Sequence, residues 1–153
     1  MNNSGISDQV LTLLLAGKVK QVNKILGYEH TLRGEVVHGN HLGRKLGFPT
    51  ANIVPDSDTP LLLGHGVYLV RVEYDHEYYK GLTNIGLRPT INGTHVTIEV
   101  YIFDFNKDLY GHHLKVWFLD RIRMERKFES LEALKRQIEK DKIKAMSLFS
   151  RLD

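Results

Sequence analysis

The spacing of apolar residues divides the chain into three zones, and the first is helical. Apolar residues recur every third or fourth position from Ser7 to Leu26, at Leu11, Leu15, Val19, Val22 and Leu26. This is the spacing of one face of an α-helix. Gly17 interrupts the pattern, because glycine is unfavourable inside a helix. We therefore expect a small appendage made of two short helices.

The second zone, from Leu32 to Arg123, has the pattern of β-strands. Short runs of β-branched and aromatic residues alternate with Gly, Pro, Asn and Asp turns. The runs cover residues 35–38, 66–74, 78–82, 97–105 and 113–119, whereas the polar stretch 83–90 indicates a loop. Val70 and Val72 alternate with charged neighbours, which predicts a strand with one buried and one solvent-exposed face. No helix fits between the runs, so we expect an antiparallel sheet of five or six strands, curled into a small barrel without open edges.

The third zone predicts one amphipathic helix that closes the domain. Ser130 is a suitable N-cap. Apolar residues follow at helical spacing, at Leu131, Leu134, Ile138, Ala145 and Phe149. The only seam between zones lies around residues 27–33, where the helical pattern gives way to the strand pattern.

Composition is that of a single globular domain. The 153 residues are 42% hydrophobic and 25% charged. A chain of this length and composition can form a stable core without a disulfide or a structural metal ion. The chain contains no cysteine, which excludes a thiolate metal site and a cysteine nucleophile. Its longest apolar run, residues 13–16, is far shorter than the roughly 20 residues of a membrane helix. We expect a cytoplasmic protein with no membrane partner.

The charge pattern does not favour nucleic-acid binding. The net charge is only +3, from 21 basic and 18 acidic residues. Between Asp120 and Lys144 the two signs are interleaved, which is typical of a solvated helix face rather than of a phosphate-binding track. We therefore expect no nucleic-acid partner.

Residues 39–52 form the most unusual stretch. Gly39, Gly43 and Gly47 recur at a spacing of four, with the cations Arg44 and Lys45 between them. Such a loop can bring backbone N–H groups close to an anion such as phosphate while the cations neutralise its charge. It matches neither the Walker A nor the Rossmann pattern. The alternative is an ordinary glycine-rich connection between strands.

Thr50 and Asn52 are candidate ligands for Mg²⁺. Pro49 fixes the backbone and biases Phe48 to an extended conformation, and residues two apart on a strand project to the same side. A hydroxyl and an amide carbonyl would then offer two hard oxygen ligands, with phosphate and water supplying the others. The alternative is a polar pair on an edge strand.

Glu99 is the candidate general base. The strand pattern of residues 97–105 places it on the same face as Tyr101, Phe103 and Phe105. Partial desolvation among aromatic rings would raise the pKa of its carboxyl and suit it to accept a proton near neutral pH. The alternative is a structural glutamate paired with an arginine.

Together these segments resemble riboflavin kinase (flavokinase), which in bacteria usually forms the C-terminal part of a bifunctional FAD synthetase. The resemblance rests on residues 34–39, 43–52, 84–90, 99–105, 108–111 and 127–134. It implies a six-stranded antiparallel Greek-key barrel with a C-terminal helix. It also implies transfer of the γ-phosphoryl group of ATP to the ribityl 5′-hydroxyl of riboflavin, giving FMN and ADP, with Mg²⁺ as cofactor.

The resemblance also implies roles for individual residues. Glu99 is the catalytic base, and Thr50 and Asn52 hold Mg²⁺. Arg123 and Arg126 lie near the flavin. The ATP-binding residues are Gly39, Gly43, Arg44, Lys45, Gly47, Thr50, Asn84, Ile102, Asp104 and Tyr110.

Two departures from the family pattern change the expectation. Residues 1–30 resemble the tail of an adenylyltransferase domain but lack the arginine that usually follows its Ile-Ser segment. We therefore expect a riboflavin kinase domain at residues 31–153 and no FMN adenylylation by this chain alone; an adenylyltransferase domain, absent from this chain, would be a partner. Residue 101 is tyrosine where many members have histidine, which alters packing near the flavin but leaves the base in place.

Two other readings compete with the kinase. A barrel that binds flavin without catalysis would be a regulatory module, and it would bind riboflavin without making FMN. A small barrel with exposed aromatic residues can also bind oligonucleotides, with an affinity that falls steeply as salt rises.

Overall fold

The computed structural model describes residues 7–38, 46–58 and 61–152, without the side chains of residues 88–90. Along these ranges the helices and strands are α1 (Asp8–Leu15), α2 (Val19–Leu26), β1 (His30–Val37), β2 (Ala51–Pro55), β3 (Gly66–Tyr74), β4 (Glu77–Thr90), β5 (Gly93–Ile102), β6 (His113–Arg123) and α3 (Leu131–Leu152). No helix within these ranges has both the length and the apolar character needed to cross a bilayer.

The six strands close into an antiparallel barrel in the order β1-β2-β5-β4-β3-β6. The long hairpin of β4 and β5 returns to β2, and β6 closes the barrel between β3 and β1. Closure pairs both edges of the sheet, which removes the exposed edges that favour aggregation. The predicted six-stranded Greek-key barrel is confirmed.

The alternation predicted for β3 is confirmed only in part. Val70 and Val72 are buried inside the barrel, and Arg71 and Glu73 are half-buried on its outer face. Val67 and Leu69 also point outward but are buried, because α3 covers that part of the barrel. One half of the strand is therefore buried on both faces.

Helix α3 begins as predicted. The Ser130 hydroxyl accepts a hydrogen bond from the Ala133 N–H at 3.1 Å, which satisfies one of the free N–H groups of the first turn. Ala145 and Phe149 are fully buried against the outer face of the barrel, beside Leu82 and Phe103. Leu131, predicted on the same apolar face, is instead exposed.

The two N-terminal helices form as predicted and share the barrel's core. Val10, Leu14, Val19 and Val22 are buried in the same apolar cluster as the barrel interior. Asn23 ties α2 to the sheet, because its side chain donates to the Phe118 carbonyl and accepts from the His30 N–H, both at 2.8 Å. The domain boundary near residue 30 stays a prediction.

Gly17 separates α1 from α2 for two physical reasons. Its φ of +77° lies in the left-handed region that favours glycine, and a Cβ there would collide with the Arg121 guanidinium. The Tyr68 hydroxyl beside it donates to the Gly64 carbonyl. Burial raises the pKa of Tyr68 to about 12, although Arg121 acts in the opposite direction, so the phenol stays a neutral donor at physiological pH.

Two of the differences from the predicted strands affect the region of the candidate site. The stretch 83–90, predicted as a loop, continues β4 and pairs with β5 along its whole length. The predicted strand 97–105 ends at Ile102, because Asp104 adopts a φ of +58° and turns the chain. Phe105 is redirected toward Tyr74 and Tyr79, with ring centroids 5.9 and 5.0 Å away.

Candidate active site

Two neighbouring cavities flank Thr50, which lines both. The first, about 530 Å³, is the loop pocket, lined by residues 36–38, 49–52, 100, 102 and 105–110. The second, about 270 Å³, is the helix pocket, lined by residues 48, 50, 67, 82, 84, 99, 101, 123, 125, 126, 128, 134, 138 and 141. A ligand in either cavity would therefore lie beside Thr50, the residue that lines both.

A row of three polar residues crosses the sheet at this junction. Glu99 of β5 is the register partner of Asn52 on β2 and of Asn84 on β4. Directly paired residues lie on the same face of a sheet with Cβ atoms about 4.5–5.5 Å apart. Asn52 lines the loop pocket, and Glu99 and Asn84 line the helix pocket. The structure thus brings together the predicted base and both predicted Mg²⁺ ligands.

Aromatic rings surround Glu99, but not all of those predicted. Tyr101 lines the helix pocket beside Glu99 and packs edge-on against Phe48, with ring centroids 5.5 Å apart. Phe103 lies in the apolar cluster under α3, and Phe105 lines the loop pocket. The expectation of one shared face fails at Phe105 because the chain turns at Asp104.

Asn84 carries an unsatisfied polar atom. Its side-chain carbonyl oxygen is buried and has no hydrogen-bond partner within the described part of the chain. A buried acceptor left unpaired costs about 1–3 kcal/mol. Because Asn84 lines the helix pocket, a donor on a bound ligand would remove that cost. The resemblance implies that Asn84 binds ATP, and this role stays a prediction.

The two arginines predicted near the flavin both line the helix pocket. Their guanidinium groups lie over the ring of Phe128, at 5.6 Å for Arg123 and 4.7 Å for Arg126. Leu134 and Ile138 of α3 and Val67 and Leu82 of the barrel add apolar surface. This cavity suits a flat, mostly apolar ligand with hydrogen-bonding groups at its edge.

Asp141 was missed by the sequence analysis. It accepts a charge-assisted hydrogen bond from Arg123 at 2.8 Å and is 4% exposed. A signal was available, because Asp141 falls between Ile138 and Ala145 on the apolar face of α3. A charged residue there has to be paired.

The residues predicted to bind the nucleotide do not all line the same pocket. Ile102 and Tyr110 line the loop pocket. Tyr110 stacks on His38, which sequence reasoning missed, with ring centroids 3.7 Å apart. Asp104 is exposed, and neither it nor Gly47 lines either pocket. Gly39, Gly43, Arg44 and Lys45 lie outside the described residues, and their roles stay predictions.

The residues at the junction fit Mg²⁺. Within the described ranges, no group of three or more His, Cys, Asp or Glu side chains could hold a metal ion by itself. The Thr50 hydroxyl and the Asn52 carbonyl are hard oxygen donors on the wall of the loop pocket. Mg²⁺ commonly takes one or two protein ligands and completes its shell with phosphate oxygens and water.

The chain is similar to known proteins in both sequence and fold. The family model for riboflavin kinase (flavokinase) matches residues 26–149. The bifunctional riboflavin kinase/FMN adenylyltransferase of Bacillus subtilis is 42% identical over 149 residues, which are 95% of this chain and 47% of the relative. An RNA-binding riboflavin kinase, RibR, of the same organism is 45% identical over 112 residues, which are 72% of this chain and 47% of the relative.

Two crystal structures resemble the fold. A riboflavin kinase from Trypanosoma brucei superposes with a TM-score of 0.56 and 31% identity, covering 78% of this chain and 79% of the other. A structure described as a macrolide-efflux protein from Streptococcus pneumoniae has a TM-score of 0.83 and 40% identity, covering 92% of this chain and 47% of the other. The chain spans about half the length of the curated relatives it matches.

Proposed function

The chain belongs to the riboflavin kinase family, and from that premise we propose that it transfers the γ-phosphoryl group of ATP to the ribityl 5′-hydroxyl of riboflavin. The products are FMN and ADP. The observation that carries this proposal is the meeting of two cavities at Thr50, with Glu99 beside the junction. A two-substrate transfer needs two binding sites whose reactive ends meet in line.

We assign riboflavin to the helix pocket. Its planar ring would lie against Phe128, Leu134 and Ile138, with the two arginines at its polar edge. The ribityl chain would then run toward Thr50 and Glu99. The hydroxyl at its end would be the phosphoryl acceptor.

We assign ATP to the loop pocket, with its terminal phosphate at the Thr50 end. Ile102 and Tyr110, two of the residues predicted to bind the nucleotide, line this pocket. The glycine-rich loop at residues 39–47 would complete the site around the phosphates. Its N–H groups and cations are suited to negative charge.

Glu99 is the proposed base. As the acceptor oxygen approaches, the proton of the 5′-hydroxyl passes to the Glu99 carboxylate. The bond from that oxygen to the γ-phosphorus forms, and the bond from the γ-phosphorus to the β,γ-bridging oxygen breaks, so that ADP leaves with the electron pair. The protein's main contributions are alignment and charge neutralisation, because the transition state of phosphoryl transfer is loose.

Thr50 and Asn52 are the residues that would hold Mg²⁺. When bound, the ion supplies positive charge that offsets the charge of the phosphate oxygens. The oxygen donors of Thr50 and Asn52 would fix its position relative to Glu99.

The kinase assignment concerns residues 31–153, and residues 1–30 are proposed to correspond to the tail of an adenylyltransferase domain. The B. subtilis relative is named for both activities. We propose only the kinase activity for the residues present here, because the family match lies on residues 26–149.

A turnover assay with riboflavin, ATP and Mg²⁺ tests the proposal, with the product identified by its mass. We expect FMN and ADP in equal amounts, no FAD, and no turnover once EDTA removes Mg²⁺. A chain that binds riboflavin but forms no FMN would instead be the non-catalytic flavin-binding module.

RNA binding is a second candidate because one relative is named as an RNA-binding riboflavin kinase. The net charge of +3 and the interleaved charges do not favour it. Titration of labelled RNA at 50 and 200 mM salt separates the cases, since several phosphate contacts would give an affinity about 10³-fold or more weaker at the higher salt. We expect no saturable binding at either concentration.

A further inference from the structure

A buried ion pair joins α3 to the wall of the helix pocket. The Asp141 side chain is 5% exposed and accepts hydrogen bonds from Arg123 Nε at 2.9 Å and from Arg123 Nη2 at 2.8 Å. Burying a carboxylate among apolar residues is costly, and an apolar pair would hold a helix to a barrel equally well. The pairing therefore calls for a reason other than stability.

The ion pair extends to the second arginine of the pocket. Gln137 lies one helical turn before Asp141, on the same face of α3. Its Nε2 donates to Asp141 Oδ1 at 2.9 Å, and its Oε1 faces Arg126 Nη1 at 3.5 Å. Asp141 thus contacts Arg123 directly and Arg126 through Gln137.

The hydrogen bonds of Arg123 leave part of its guanidinium available. An arginine has five N–H donors. One on Nε and one on Nη2 go to Asp141, and one on Nη1 goes to the Met124 carbonyl at 3.2 Å. The remaining two have no acceptor among the residues that the structure describes, and Arg123 lines the helix pocket.

Other contacts already dock α3. Ala145 and Phe149 of α3 are fully buried against the outer face of the barrel. Lys144 Nζ donates to the Ile122 carbonyl at 2.9 Å, close to Asp141 in sequence but outside the pocket. Contacts other than the ion pair therefore also attach the helix.

We propose that Asp141 is a positioning residue, which orients Arg123 directly and Arg126 through Gln137 so that their remaining N–H groups face hydrogen-bond acceptors of the ligand. This inference rests on the proposed function, because it assigns riboflavin, with its ring carbonyl oxygens, to the helix pocket. Asp141 lines the pocket, but both of its carboxylate oxygens accept hydrogen bonds from Arg123 or Gln137, so we assign it no contact with the substrate. It acts through the geometry of the two arginines.

Asp141→Asn tests the inference, because it removes the charge while keeping the shape. Losing a charge-assisted orientation should weaken riboflavin binding by about tenfold or more. We expect the riboflavin KM and Kd to rise by that factor, with the ATP KM unchanged and kcat within a few-fold. Flavin fluorescence titration gives the Kd without turnover. Lys144→Met is the matched control. It removes one hydrogen bond of α3 outside the pocket, while Ala145 and Phe149 keep the helix docked, so riboflavin binding should stay as in wild type.

The outcomes separate the two claims. If wild type makes no FMN, the proposed function fails, while the fluorescence Kd still reports whether Asp141 orients the arginines. If Asp141→Asn unfolds more easily but binds riboflavin as tightly as wild type, the residue is merely structural and the inference is overturned.

Gln137→Leu provides a second variant should Asp141→Asn fail to fold. It keeps the ion pair and removes only the link to Arg126. We expect riboflavin binding about threefold weaker, the effect of losing one modest hydrogen bond. An unchanged Kd for this variant would contradict the proposal that Asp141 orients Arg126 through Gln137.

Discussion

The helix pocket and the loop pocket are built in different ways. In the helix pocket, charged side chains on β6 and α3 hold one another, with Arg123 fixed by Asp141. In the loop pocket, backbone hydrogen bonds set the shape, such as those from Gly111 N–H to the Val36 carbonyl and from Val36 N–H to the His112 carbonyl, both at 2.9 Å. The helix pocket therefore depends on the docking of α3, whereas the described part of the loop pocket depends on the barrel alone.

This difference matters for a two-substrate reaction. On the proposed assignment, riboflavin binding can be altered through α3 without disturbing ATP binding. The junction at Thr50 and Glu99 belongs to the barrel strands and their connections, so it should persist when α3 is loosened.

The largest effect is expected at the junction. Glu99→Gln removes the proposed proton acceptor but keeps the side chain's size, so kcat should fall by about 10²–10⁴-fold with riboflavin affinity nearly unchanged. Steady-state kinetics and fluorescence titration measure the two quantities. Glu35→Gln, on an exposed β1 position outside both pockets, is the control and should behave as wild type. A Glu99→Gln enzyme with normal kcat would remove the base from the account.

Loosening α3 should affect one pocket only. Phe149→Ala deletes a fully buried ring and should lower the free energy of unfolding by about 3–5 kcal/mol, as measured by urea denaturation. In the fraction that remains folded, we expect weaker riboflavin binding and unchanged binding of a non-hydrolysable ATP analogue. The control is Leu14→Ala in α1, which should cost about 2–5 kcal/mol and leave both affinities alone. Equal loss of both ligands in Phe149→Ala would refute the independence of the pockets.

Thr50→Val tests the metal side of the junction. Valine has the shape of threonine without the hydroxyl oxygen, so the Mg²⁺ concentration needed for half-maximal turnover should rise by about tenfold or more. Titration of Mg²⁺ at fixed ATP measures it. Thr31→Val, on β1 outside both pockets, should leave the Mg²⁺ requirement unchanged. An unaltered requirement in Thr50→Val would argue against Thr50 as a ligand.

The smallest effect is expected at Gly86. A Cβ at this position would lie 2.6 Å from Glu125 Oε1, so Gly86→Ala should displace the Glu125 side chain from the helix pocket. Because that group is the end of a flexible side chain, stability should change by no more than about 0.5 kcal/mol, while the riboflavin KM rises modestly. The double variant with Glu125→Ala should bind riboflavin no worse than Glu125→Ala alone. Additive effects would show that Gly86 acts by another route.

Local patterns in the sequence predicted much of the barrel. The alternation at Val70 and Val72, the N-cap at Ser130 and the break at Gly17 are effects of neighbouring residues, and all three occur in the structure. The burial of Val67 and Leu69 on the outer face could not be predicted in this way, because it depends on where α3 packs. The stretch 83–90 was predicted as a loop because its polar residues favour turns. In the structure it is a strand, because its pairing with β5 overrides that propensity.

In the candidate site, too, local patterns predict some residues, whereas others depend on packing between distant elements. Thr50, Asn52 and Glu99 could be selected by residue type and strand spacing, and register brings Asn52 and Glu99 side by side. Asp141 was missed because its partner Arg123 lies 18 residues earlier, and the pairing exists only once α3 folds back on the barrel. Contacts of this kind leave only a faint sequence signal, a charge on an apolar helix face.

We propose that Glu99 lies where the ligands of the two pockets meet. A crystal structure of the chain with Mg²⁺, ADP and riboflavin would show whether it does. We expect the flavin in the helix pocket, the diphosphate in the loop pocket at Thr50 and Asn52, and the ribityl 5′-oxygen about 3 Å from the Glu99 carboxylate. Flavin bound in the loop pocket, or a 5′-oxygen out of reach of Glu99, would contradict it.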